Sequence, residues 1–143
     1  MKAKQFVLGA TAMITVGLIG FAAGVSVSQE KSTRVYELRT YTVLSGRLPA
    51  LHKRFAEHTI KLFEKQGMRN EMYWVPTDDA RKDNTLIYVL SHESQEAADR
   101  SWKAFFADPE WIKVRDASEA DGKILAKAPE RVFMKLTGDS PPR

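Results

Sequence analysis

The chain has 143 residues, a formal net charge of +4 and no cysteine. This length suits one domain with a buried core. The missing cysteines exclude disulfides, thiolate metal sites and a cysteine nucleophile. Basic and acidic residues are interleaved along the sequence. We find no basic stripe of the kind that indicates a nucleic-acid partner, so none is expected.

Residues 1–28 differ in composition from the rest of the chain. Lys2 and Lys4 are the only charged residues there, an apolar stretch follows, and Ser26-Val27-Ser28 fits the small-x-small pattern of a signal peptidase site. We therefore expect a signal peptide over 1–28 and an exported protein, periplasmic or secreted. The alternative is an uncleaved membrane anchor over residues 6–27, because the uncharged run is about as long as a spanning helix requires.

The predicted domain covers residues 29–137 and begins with a strand over Val35–Val43. This stretch is rich in β-branched and aromatic residues and alternates with period two. One face carries Tyr36, Leu38 and Thr40, and the other carries Glu37, Arg39 and Tyr41.

A helix is predicted next, with Pro49 in its first turn and Gly67 just after its end. Its apolar stripe consists of Leu48, Leu51, Phe55 and Leu62. Two further strands follow, over 68–75 and 85–91, separated by a polar loop. The second of these has apolar residues on both faces, so we expect it to be central and covered.

Ser94 is a predicted N-cap of a second helix. Asp108-Pro109 predicts a break and a restart of that helical region, which Gly122 ends. A last strand is predicted over 131–136, and residues 138–143 are expected to form a disordered tail.

The resulting order, βαββαβ, predicts an α+β fold of the ferredoxin-like type: a four-stranded antiparallel sheet with both helical regions on one face. We expect the uncovered face to carry Glu37, Arg39 and Tyr41 among large apolar neighbours. A two-sided apolar strand is poorly suited to face water, which implies a partner. The simplest partner is a second copy of the chain, packed sheet against sheet around an enclosed space.

Four segments in this order resemble the NIPSNAP family. They are Tyr36-Glu-Leu-Arg-Thr-Tyr41, Leu62-Phe-Glu-Lys-Gln-Gly-Met68, Tyr73-Trp74 and Ala107-Asp-Pro-Glu-Trp111. The resemblance runs from about Val35 to Leu136 and implies a dimeric α+β barrel. Related barrels include cofactor-poor monooxygenases, haem-handling enzymes and plain binding proteins, so the resemblance implies no single activity.

Glu37, Arg39 and Tyr41 are the first candidate ligand-binding residues, because they share one strand face. A buried charge is costly unless it is paired. Arg39 and Tyr41 could therefore orient a ligand oxygen, or Glu37 and Arg39 could form an ordinary structural ion pair, which occurs more often.

His58 and Trp74 complete the candidate set. His58 lies at the edge of the helical stripe and could reach a cavity, although a packed histidine is the more common case. Trp74 could line an apolar pocket, where most aromatic side chains would instead be core. His92 is expected at the exposed end of its strand. No spacing indicates a metal site, and no motif indicates a cofactor.

Three functions remain open on this evidence. The first is a homodimer that binds a small, largely apolar molecule. The second is a cofactor-poor enzyme, monooxygenase- or isomerase-like, on the same scaffold. The third is a non-catalytic protein-interaction domain. A membrane contact is expected only if the leader is not cleaved.

Overall fold

The computed structural model describes residues 34–140, which contain four strands and four α-helices in the predicted order. They are β1 (Val35–Thr42), α1 (Leu48–Arg54), α2 (Ile60–Lys65), β2 (Arg69–Trp74), β3 (Thr85–His92), α3 (Gln95–Ala107), α4 (Pro109–Ser118) and β4 (Glu130–Met134). The predicted signal peptide lies outside the described residues, as does the end of the predicted tail. Within 34–140, no helix is long and apolar enough to cross a membrane.

The strands form one sheet in the order β2-β3-β1-β4, and every neighbouring pair is antiparallel. This is the strand order of the ferredoxin-like fold, so the predicted α+β class is confirmed. The third strand is central, as its two apolar faces predicted. Leu86, Tyr88 and Leu90 point to the helical side and are buried.

The first helical region departs from a regular helix. Between α1 and α2, Phe55–Thr59 forms a π-helical turn. Such a turn contains more residues than an α turn, so side chains beyond it are rotated back relative to a regular helix. Phe63 is thereby fully buried, although it lies outside the predicted stripe. His58 points outward, and its side chain is 46% exposed.

The second helical region begins and restarts at the two caps that the sequence predicted, although α4 ends at Ser118, before the predicted end at Gly122. The Ser94 hydroxyl accepts a hydrogen bond from the Ala97 N–H at 3.1 Å, which caps α3. The Asp108 carboxylate accepts from the Glu110 N–H at 2.9 Å and caps α4, whose first residue is Pro109. The break therefore arises from a second cap within a single helical region.

One expectation about the sheet is wrong. Glu37, Arg39 and Tyr41 lie on the helix-covered face, where they are 0%, 6% and 8% exposed. Alternation with period two places three residues on one face but does not indicate which face is covered. The helical side accommodates the charges because α3 supplies a hydrogen-bond donor to Glu37, and Arg39 pairs with the same carboxylate.

The opposite face is not covered by helices and carries an apolar row at its middle. The strand register aligns one apolar row across all four strands. It consists of Met72, Val89, Leu38 and Val132, in spatial order. Met72 and Val132, at the two ends of the row, are 56% and 55% exposed.

The core lies between the sheet and the helices and is largely aromatic. Phe63 is its centre, with ring centroids 4.9 to 6.0 Å from those of four neighbours. These neighbours are Phe55, Tyr88, Trp102 and Phe105. Aromatic pairs in offset or edge-to-face geometry stabilise a core beyond their buried area.

Candidate functional site

A buried polar cluster centres on the carboxylate of Glu37. Its Oε2 accepts a hydrogen bond from Trp102 Nε1 at 2.7 Å and lies 3.0 Å from His92 Nε2. Its Oε1 accepts from an Arg39 guanidinium nitrogen at 3.1 Å. The three partners come from α3, β3 and β1, so one carboxylate links the sheet to the helical layer.

These contacts determine the ionisation of Glu37. Burial alone would raise its pKa, but hydrogen bonds from His92 and Trp102 and the positive charge of Arg39 outweigh burial. The pKa of Glu37 is therefore lower than its ordinary value. Glu37 is an anion at neutral pH, held by neighbours that stabilise its charged form.

Arg39 is fixed by rings as well as by its ion pair. Its guanidinium carbon lies 4.4 Å from the ring centroid of Trp102 and 5.7 Å from that of Tyr41. Both distances are in the range of a cation–π interaction. Arg39 and Tyr41 therefore meet as predicted, but inside the single chain and not at a sheet-to-sheet boundary.

His92 is a functional candidate that sequence analysis misplaced. The expectation that it is exposed is wrong, because it is only 1% exposed. Leu86, Tyr88 and Leu90 precede it at period two, and continuing that alternation would have placed it inward. The Glu37–His92 pair is sealed from solvent, so in this conformation it holds the fold together and does not meet a substrate.

A second buried arginine, Arg54, is the last residue of α1 and directly precedes the π turn. Arg54 is 4% exposed, donates to the Ser118 hydroxyl at 3.2 Å and lies 3.5 Å from a Glu119 oxygen. Burial lowers the pKa of Arg54, which Glu119 only partly offsets. Sequence analysis did not single out this residue, since an arginine on a helix is usually solvated.

An apolar cavity of about 180 Å³ lies at the β2 edge, between that strand and the π turn. Most of its wall is apolar or aromatic. The lining residues are His52, Phe55, Ala56, Ile60, Tyr73, Trp74, Val75 and Leu86. The irregular turn contributes Phe55 and Ala56, and π turns occur frequently at functional sites.

The predicted site residues thus divide between three places. Glu37, Arg39 and Tyr41 belong to the buried cluster and the core beside it. Trp74 is 46% exposed and lines the apolar cavity, as proposed from sequence. His58 lies on the outside of the π turn, 3.8 Å from Glu57, and does not line this cavity.

Metal ligands do not gather anywhere within residues 34–140. No group of three or more histidine, aspartate or glutamate side chains in that range is close enough to hold an ion.

Comparison with known proteins identifies the family and the fold. The NIPSNAP family model matches residues 36–141. A NIPSNAP-like domain protein of Burkholderia xenovorans, described as uncharacterized, superposes with a TM-score of 0.65 at 17% identity, covering 78% of this chain and 91% of that one. No protein with a curated function matches the chain.

Two oxygenases share the fold more distantly. SnoaB, a cofactor-independent oxygenase of Streptomyces nogalater, superposes with a TM-score of 0.51 at 17% identity, covering 76% of this chain and 98% of that one. The ActVA-Orf6 monooxygenase of Streptomyces coelicolor, in complex with Nanaomycin D, gives 0.51 at 20% identity, covering 76% and 92%. At these identities the likeness concerns the fold alone.

The buried cluster makes stability depend on the charge of Glu37. The Glu37→Gln variant should lose about 3 kcal/mol at pH 7, because Arg39 and His92 then lose a charged partner inside the core. The folded-state pKa of Glu37 lies below its ordinary value of 4.5, so this contribution is complete above that pH and is lost as the pH falls through the folded value. Urea unfolding from pH 7 to pH 3 should show the gap between variant and wild type closing in acid.

Glu57→Gln is the matched control for this measurement. Its side chain is 52% exposed, so the substitution should change stability by no more than a few tenths of a kcal/mol at any pH. A Glu37→Gln gap that stays constant with pH would contradict the role assigned to the carboxylate.

Proposed function

The chain belongs to the NIPSNAP family, and we propose that it acts as an exported homodimer that binds a small, largely apolar molecule. The observation that carries this proposal is the cavity between the π turn and β2, whose lining is mostly aromatic and aliphatic. Sequence analysis expected a space between two sheets. The proposed binding site is instead on the helical side of the sheet edge, within each protomer.

Dimerisation is supported by the uncovered face of the sheet. Its apolar row continues across all four strands, and both ends of the row are more than half exposed. A contiguous apolar patch on a small domain marks an interaction surface. A second copy covers such a patch through a two-fold axis, because the same row then meets itself.

The Val132→Glu variant tests this interface. Val132 is 55% exposed in the single chain, so a glutamate there should leave the monomer folded while placing an unpaired charge in the dimer contact. Analytical ultracentrifugation should find a wild-type dimer and a variant whose dimer is weakened by roughly 100-fold or more, a cost of about 3 kcal/mol.

Ile112→Glu provides the control, since Ile112 is a 38% exposed apolar residue on α4, away from the sheet. That variant should remain dimeric. A wild-type monomer, or a Val132→Glu dimer of unchanged strength, would rule out the sheet face as the contact.

Ligand binding is supported by the size and lining of the cavity. An apolar cavity of roughly 150 Å³ in another protein stays dry and binds benzene. A cavity of about 180 Å³ therefore has room for one ring, with any remainder of the ligand extending through the mouth. Phe55, Tyr73 and Trp74 offer ring faces and edges for such a contact.

Binding is favoured over catalysis by the location of the ionisable groups. Glu37 and His92, the pair best suited to move a proton, do not line the cavity and are sealed in the core. The cavity wall carries two titratable side chains, His52 and Tyr73. Burial raises the pKa of the Tyr73 phenol, which opposes a role as a base at neutral pH.

Filling the cavity should abolish binding without unfolding the protein. Ala56 is exposed on the π turn and lines the cavity, so Ala56→Leu adds bulk at the wall and not in the core. Toluene is a suitable probe, followed by amide chemical shifts in an NMR titration. We expect its affinity to fall about tenfold or more, corresponding to 1.4 kcal/mol or more of lost contact.

Ala117→Leu makes the same exchange at an exposed position of α4 that does not line the cavity. It should bind toluene like the wild type. Equal toluene affinity in the Ala56→Leu variant would mean that the probe binds elsewhere, and the proposed site would be lost.

Export rests on the sequence of residues 1–28 alone. A positive start, an apolar body and a small-residue exit are the parts of a cleavable signal peptide. The mass of the protein recovered from the periplasm or medium should correspond to a chain that begins at Gln29. A full-length mass in the membrane fraction would favour the uncleaved anchor.

A further inference from the structure

Three buried hydrogen-bonding atoms in the neighbourhood of Tyr41 make no hydrogen bond of good geometry among the described residues. They are Nε of Arg39, Nε of Arg54 and the hydroxyl of Tyr88. The three residues are 6%, 4% and 0% exposed, so water does not reach them freely. Buried polar groups are nearly always hydrogen-bonded, and an unpaired one points to a missing water, ion or ligand.

These atoms gather around one pair of phenols. Arg39 and Arg54 both interact electrostatically with Tyr41 and Tyr88, whose ring centroids are 5.4 Å apart. Guanidinium nitrogens can only donate hydrogen bonds, and a phenol can donate as well. The Tyr41 hydroxyl is an acceptor near both Arg39 and Tyr88. The donors of two guanidinium groups and two phenols still outnumber the acceptor oxygens around them.

The nearby carboxylates do not supply an acceptor for the Nε atoms of the two arginines. Glu37 binds Arg39 through a terminal guanidinium nitrogen and leaves Nε without a partner. Glu119 lies near Arg54, but its side chain is 28% exposed and again faces a terminal nitrogen. Of the two carboxylates near these arginines, only Glu37 is fully buried.

The ring of Tyr88 packs directly against two side chains of the cavity wall. Phe55 and Tyr73 line the cavity, and their ring centroids are 5.3 and 5.2 Å from that of Tyr88. Tyr73 stacks on Tyr88 with 14° between the ring planes, whereas Phe55 meets Tyr88 edge-on. Phe55 belongs to the π turn, and its ring separates the cavity from the Tyr88 ring, so the proposal below requires the Phe55 side chain to move when a ligand binds.

We propose that Arg39, Arg54 and Tyr88 form a binding site for an acidic or carbonyl oxygen of a ligand whose ring occupies the apolar cavity. The ligand class is then a small aromatic acid, with a carboxylate as the best match to two guanidinium groups. This inference rests on the proposed function, because it specifies which apolar molecule the cavity takes.

Benzoate and toluene separate the two parts of the proposal, since they share a ring and differ in the carboxylate. Both are titrated into the full-length protein. A hydrogen bond to a charged group contributes about 1.5–3 kcal/mol, so wild type should bind benzoate more than tenfold tighter than toluene. Binding of toluene with no preference for benzoate would overturn this inference and leave the apolar site standing. Binding of neither probe would remove the proposed function itself.

The Tyr88→Phe variant tests the donors directly. The Tyr88 hydroxyl makes no hydrogen bond of good geometry in the free protein and only a weak contact with the Tyr41 phenol, so the melting temperature without ligand should change little. Benzoate affinity should fall about tenfold while toluene affinity is unchanged. Lys53→Gln, which removes an exposed charge next to the cavity helix, should keep the preference for benzoate. A preference that survives Tyr88→Phe, or that Lys53→Gln abolishes, would place the carboxylate elsewhere and overturn the proposal.

Discussion

The hydrogen bonds to Glu37 are the interaction on which this architecture depends. A carboxylate that is fully buried is tolerated only when its oxygens are paired, and here Trp102, His92 and Arg39 pair them. The Trp102 bond holds α3 against β1, and the Arg39 bond directs a second charge into the same layer. The position of α3 and the aromatic packing below it follow from this arrangement. The charged side chains of β1, Glu37 and Arg39, lie on the helical side, and an apolar row crosses the open face of the sheet.

Local sequence patterns predicted the order and type of the elements because each has a local cause. Ser94 and Asp108 cap helices through bonds to backbone N–H groups within three residues, and such bonds can be inferred without a structure. The central position of β3 follows similarly from its two apolar faces. Trp74, which was proposed from sequence as a pocket residue, is one of the residues that line the cavity.

The wrong predictions have a common physical cause. In each case the local sequence allows two arrangements, and contacts with residues distant in sequence determine which one forms. The period-two alternation of a strand places Glu37 and Arg39 on the same face but does not indicate which face the helices cover. The partner that decides this is Trp102 on α3, which is distant in sequence. The π turn is a second such choice. It rotates Phe63 into the core and His58 out of it, and no composition signal in Phe55–Thr59 distinguishes it from an α turn.

The π turn also links the fold to the candidate site. Its residues are part of the core through Phe55 and part of the cavity wall through Phe55 and Ala56. A π turn is less stable than a regular α-helical turn, so it forms only where contacts with the surrounding side chains stabilise it. Here that packing is the aromatic contact of Phe55 with Tyr41, Tyr73 and Tyr88. In the proposed binding mode, a ligand ring would replace part of this contact and exchange one aromatic neighbour for another.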